Sequence, residues 1–137
     1  MTRLTRRYRF AASHRLDSSA LSAEENRKLY GKCNNPFGHG HDYSLEISVE
    51  GPLNADGMVV DRRALDELVE QRILRLLDHR NLNRDVPEFE RLVPTTENLA
   101  SVIEQRLREH WNLEPRLGRI RIAETDRNTF EMEAPVE

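Results

Sequence analysis

The chain has 137 residues, of which 37% are hydrophobic and 33% charged, a lean but not depleted composition that suits one small domain. Its 21 Lys and Arg nearly cancel its 24 Asp and Glu, for a net charge of −3, so the basic excess of a general nucleic-acid binder is missing. No apolar run reaches the roughly 18–20 residues that span a bilayer, and the single cysteine, Cys33, cannot close a disulfide within the chain, which fits a reducing cytoplasm.

Residues Met1 to Arg9 carry four arginines and no acid, as organelle transit peptides do, but their alternation predicts a strand from about Leu4 to His14. Leu4, Tyr8, Phe10 and Ala12 share one face and most of the arginines take the other. Ser22 and Glu25 have capping-box spacing before Asn26 to Tyr30, and Gly31 stands where that short helix would end. In the second strand His41, Tyr43, Leu45, Ile47 and Val49 form one face, until Gly51-Pro52 stops it. Asp61 is placed to cap a helix with the apolar stripe Leu65, Leu68, Val69, Ile73, Leu76 and Leu77. Thr95 or Thr96 caps a second one, with Leu99, Val102, Ile103 and Leu107 on its buried side. Ile120, Ile122 and Glu124 alternate in a third strand, and the turn Thr125 to Asn128 leads to a fourth with Phe130 and Met132 inward. The order ββααββ predicts an α+β fold: a four-stranded antiparallel sheet with both helices packed on one face. No repeat or Pro/Gly-rich linker divides residues 1–137, which read as a single domain.

His39 and His41 are two residues apart at the entry of a strand, so both leave the same face. His14 ends the first strand in phase with its apolar residues, and a meander would bring it to that pair. Three neutral imidazoles with an open fourth position make a catalytic zinc site; hydrogen-bonded histidines at strand ends are the plainer reading. Cys33 lies in a turn-rich segment beside them, where Lys32, a dication or a histidine would favour a thiolate acting as base or nucleophile. It could equally be a fourth zinc ligand that closes the site. Asp78-His79 follows the first long helix, as a carboxylate–imidazole relay or as a histidine answering the helix dipole. Glu124, in phase with Ile120 and Ile122, turns a carboxylate inward, where it needs a partner or a ligand such as a flat heterocycle.

Four stretches carry a specific likeness: Ala12-Ser13-His14-Arg15-Leu16; Gly31 through His41; Leu77-Asp78-His79-Arg80-Asn81-Leu82; and Thr95-Thr96-Glu97-Asn98 together with Glu124-Thr125-Asp126. In that order and at that spacing, the chain resembles the 6-pyruvoyltetrahydropterin synthase family from about Tyr8 to Met132. The resemblance implies His14, His39 and His41 as zinc ligands, Cys33 as catalytic base, and Asp78 with His79 as the rest of its relay. It implies Glu124 as the anchor of the pterin ring, with Thr95, Thr96 and Glu97 in the segment lining the pterin pocket. Phe37 stands where the family often has a polar residue.

The same resemblance implies the tunnelling fold, in which the sheets of three subunits join into a barrel and two barrels stack as a hexamer, with active sites between subunits. The implied reaction converts 7,8-dihydroneopterin triphosphate into 6-pyruvoyltetrahydropterin and triphosphate, with one Zn2+ per subunit and no nucleic-acid or membrane partner. The sequence does not indicate a magnesium site. Arg15 and Lys32 are candidate cations for the triphosphate. The nearest alternative is a 6-carboxytetrahydropterin synthase of the queuosine type, and the five-residue spacer between Cys33 and His39 favours the pyruvoyl enzyme. A pterin-binding or structural zinc oligomer without turnover would have little use for Cys33, Asp78 and His79 together.

Overall fold

In the computed structural model, which describes residues 1–135, the long antiparallel pair β1 (Thr2–His14) and β2 (His39–Gly51) forms the centre of the sheet. The last two positions of the expected 1–137 domain lie outside the described residues. Two further strands, β4 (Arg116–Thr125) and β5 (Asn128–Glu133), continue the antiparallel meander beyond β2. The expected four strands are joined by β3, the two residues Arg80–Asn81, which runs parallel to β1 and gives the order β3-β1-β2-β4-β5.

Side chains alternate as the sequence predicts. Phe10, Ala12, Tyr43, Leu45, Ile47, Val49, Ile120 and Ile122 are buried beneath the helices. The opposite face carries charged pairs such as Arg3–Glu50, Arg121–Glu46 and Arg119–Glu131. Arg6 departs from the other arginines: it lies in phase with Leu4 and Tyr8 and faces the helices, where Asp66 takes both its Nε and Nη2.

Three helices are built as their caps direct. Ser22 and Glu25 form the capping box of α1 (Ala23–Tyr30), and Gly31, with φ of +56°, ends it. The carboxylate of Asp61 accepts from Arg63 and Ala64 to start α2 (residues 62–77). This helix is α-helical over Arg62–Val69, widens into a π-helical stretch over Glu70–Leu74, and closes with Arg75–Leu77. The wider turn delays the phase of everything after it. Leu77 is therefore buried, whereas Leu76, expected on the apolar stripe, is 42% exposed. Of the two candidate threonines, Thr95 is the cap of α3 (Thr96–His110), accepting from the Asn98 amide. Both long helices pack on one face of the sheet through a single apolar cluster. No helix among the described residues is long and apolar enough to cross a membrane.

Candidate metal centre

The end of β1 and the start of β2 meet at one corner of the sheet, with His14 opposite His39 and Ala12 opposite His41. The loop before β2 reaches this corner through Gly38, whose φ is +79° and on which a Cβ would lie 2.5 Å from the His14 carbonyl oxygen. Glycine alone permits that approach.

His14 is fully buried. Its Nδ1 lies 2.8 Å from the Pro94 carbonyl oxygen and 3.3 Å from the Tyr43 hydroxyl. A carbonyl only accepts, so Nδ1 carries the hydrogen, and the lone pair of Nε2 points into the corner. There Nε2 is buried with no hydrogen-bond partner. The carboxylate of Glu124 stands 3.4 Å from it and 3.2 Å from Nε2 of His41. Glu124 keeps the inward phase of Ile120 and Ile122 but sits at a register shift between Ala123 and Thr125, where pairing with β5 is interrupted, a place at which strands re-aim side chains. The Cys33 sulfur is 3.5 Å from His41 Nε2. The donor atoms of His14, Cys33, His41 and Glu124 all lie within 4.8 Å of one another.

Burial is the largest influence on both imidazoles and holds His14 and His41 below the ordinary histidine range. Neutral imidazoles are the form that binds a metal. Burial, and then the neighbouring Glu124, pushes the Cys33 thiol up. An orphaned imidazole lone pair facing a carboxylate, a second imidazole and a thiol is a donor set that fits a divalent cation, and nitrogen, oxygen and sulfur ligands together suit zinc.

The family described as 6-pyruvoyl tetrahydropterin synthase matches residues 3–135. The chain belongs to the 6-pyruvoyl tetrahydropterin synthase family. It is 47% identical over 127 residues to the 6-pyruvoyl tetrahydrobiopterin synthase of Poecilia reticulata, covering 91% of this chain and 85% of that protein. The solved 6-pyruvoyl tetrahydropterin synthase of Caenorhabditis elegans superposes with a TM-score of 0.89 at 35% identity, covering 98% of this chain and 96% of that one. A putative 6-carboxy-5,6,7,8-tetrahydropterin synthase of Archaeoglobus fulgidus is a more distant likeness, 30% identical over 109 residues, covering 80% of this chain and 85% of that protein. The family is one of lyases acting on phosphates, and its tunnelling fold is the α+β arrangement seen here, an open sheet with helices on one face.

Not all the residues that the family resemblance singles out meet within one chain. His39 enters the corner through its Nδ1, 3.4 Å from His41 Nε2, and stands outside the four-residue group that converges most closely. Asp78 and His79 form a pair, with Nδ1 of the imidazole 3.1 Å from the carboxylate. They are fastened to the edge of β1: Asp78 accepts from the Ala11 amide, and the His79 amide donates to the Ala11 carbonyl. His79 adopts φ of +60°, a left-handed conformation that a histidine rarely takes. Its side chain is 82% exposed and pairs with Asp78 rather than with Cys33. It shares with His41, Ala11, Ser13, Gly40 and Asp42 the wall of an open hollow of about 560 Å³. Thr95 spends its hydroxyl on capping α3, and Glu97 is exposed. Thr95, Thr96 and Glu97 directly follow Pro94, whose carbonyl holds His14.

Two contributors carry no role in the sequence reading. Tyr43 sits two residues after His41 on the same strand face, and a buried tyrosine hydroxyl needs a partner, so that signal was present. The Pro94 carbonyl left none, because every residue offers one.

Proposed function

We propose that the chain is a zinc-dependent 6-pyruvoyltetrahydropterin synthase, a single-domain cytoplasmic enzyme that converts 7,8-dihydroneopterin triphosphate into 6-pyruvoyltetrahydropterin and inorganic triphosphate. The observation that carries this reading is the buried, partnerless Nε2 of His14, aimed at Glu124 and His41 with Cys33 alongside. His14, His39 and His41 would hold the zinc. When bound, the ion supplies Lewis-acid polarisation of the substrate's side-chain hydroxyls.

The protein's own groups do the rest. Glu124 accepts paired N–H hydrogens of the pterin ring and so fixes where the side chain falls. Cys33, as thiolate, takes the proton from the side-chain carbon next to a hydroxyl, and His79, oriented by Asp78, moves protons through the enol as triphosphate leaves. Thr95, Thr96 and Glu97 line the ring's pocket. Arg15 and Lys32 face the triphosphate, Arg15 from a guanidinium already held by the Asn34 carbonyl. Because His79 is exposed and apart from the Cys33 of its own chain, the relay serves the Cys33 of an adjacent subunit. That arrangement fits a hexamer built as a dimer of trimers.

Mass spectrometry of the product from dihydroneopterin triphosphate tests the reading. A pyruvoyl product with free triphosphate is expected; a carboxy product with acetaldehyde would overturn it in favour of the 6-carboxy enzyme. Cys33→Ala should keep the fold and lose most of the turnover, and unchanged turnover would remove the base assignment.

A further inference from the structure

Phe37 is 98% exposed, more than any other large apolar side chain among the described residues. The backbone beneath it is fixed at both ends. Pro36 presets a turn in which the Gly38 amide donates to the Asn35 carbonyl at 2.8 Å, and the Asn35 amide donates to the Lys32 carbonyl at 3.1 Å. Gly38 is pressed against the His14 carbonyl. Single exposed apolar side chains are ordinary, but a ring held in water on a fixed turn has already met the ordering cost of a contact. The hollow beside His79 has the complementary character. It measures about 560 Å³, with Ala11 and Ala12 in its wall together with the exposed Arg80, a cation that suits the face of an aromatic ring. Gly40 keeps it open: its φ is not left-handed and a Cβ there would meet nothing within 4 Å. No backbone demand calls for glycine at this position, and any side chain would take up room in the hollow.

We propose that Phe37 of one copy docks in the hollow beside His79 of the next, its ring against Arg80, and so seats Cys33 at the relay which the other copy completes. The inference rests on the shared relay above and deepens it: the occupant of the hollow is a second copy of this chain, and one side chain anchors it. The geometry links the two contacts. Nδ1 of His79 is taken by Asp78, which leaves Nε2 to reach the Cys33 of an adjacent subunit. Phe37 is four residues from Cys33, and four residues span at most about 14 Å. A copy that brings its Cys33 to His79 therefore brings its Phe37 to the same hollow. There the ring buries its apolar surface and shields the thiol and imidazole from water.

At 98% exposure Phe37 has almost no contact within its own chain, so any coupling between Phe37 and Arg80 reports docking between copies. Sedimentation across a dilution series measures it. Phe37→Ser should keep the circular dichroism of the wild type, weaken association between copies about tenfold or more, and lower kcat. Phe37→Leu should restore most of both. Arg80→Ala should weaken association on its own, and the double variant should lose less than the two single losses combined. A 4-fluorophenylalanine placed at position 37 should give a fluorine resonance that moves when the assembly is diluted to single chains. Wild-type association in Phe37→Ser, additive losses in the double variant, or a fluorine resonance indifferent to dilution would each overturn the docking. The relay reading fails by a separate result. Mixed oligomers of Cys33→Ala and His79→Ala chains that stay inactive refute it, whatever Phe37 does. Activity recovered in those mixtures, with Phe37→Ser associating as the wild type does, leaves the relay standing and removes the anchor.

Discussion

Asn34 offers no acid, base or ligand, yet the reactive corner depends on its amide. Nδ2 donates to the Leu16 carbonyl at 2.6 Å and to the Asp17 carboxylate at 3.0 Å, while the Leu16 amide donates to the Cys33 carbonyl at 2.7 Å. These bonds lace the cysteine loop to the chain leaving β1. Asn34→Ala strands a buried carbonyl, which should cost about 1–3 kcal/mol and lower kcat by loosening Cys33. Chemical denaturation and steady-state kinetics check this, and an unchanged unfolding midpoint would count against the clamp. At this scale the sequence was legible wherever a side chain obeyed a period. His14, His39 and His41 fall at one corner because period-two alternation puts them there. Asn34 was hidden because its partners, the Leu16 carbonyl and the Asp17 carboxylate, lie in a segment with no period of its own.

Among the elements, β1 and α2 are joined by Asp66, which accepts from both Arg6 nitrogens and, at 2.7 Å, from the Tyr8 hydroxyl. The Arg6 hydrogen bond is the largest cause holding Asp66 below the ordinary aspartate range. A carboxylate depressed in the folded state contributes stability above its unfolded pKa of about 3.9 and loses it as pH falls through the folded value. Asp66→Asn should therefore be less stable than the wild type at pH 6, by about 1 kcal/mol or less for so exposed a pair. The gap should close in strong acid. Urea unfolding across pH measures it, and a gap independent of pH would exclude the carboxylate as its source. The capping residues of α1, α2 and α3 were readable because a cap is local chemistry. The π-helical stretch of α2 was not. Nothing in Glu70–Leu74 marks a widened turn, and only the fit of Leu77 under the sheet and of Asp78 against Ala11 requires one.

The whole molecule ends in open edges. Only Ala12 and Ser13 of β1 are paired by β3, and β5 closes the other side of the order with no strand beyond it among the described residues. If the relay is shared between copies, two inactive variants should rescue each other. Oligomers mixed from Cys33→Ala and His79→Ala chains should recover activity above either parent, and verified mixed oligomers that stay inactive would place the relay within one chain. Assembly was the least legible level, since a sequence states what a strand edge carries but not what pairs with it. The alternation of β1 and β2 also sets a limit on error. A slip of one residue in their pairing would drive Arg3, Arg7 and Arg9 under the helices and turn Tyr8, Phe10 and His14 out to water. The arginines thus act as a reading frame: the strand that ends in His14 can dock in one register, and that register delivers the histidine to its corner.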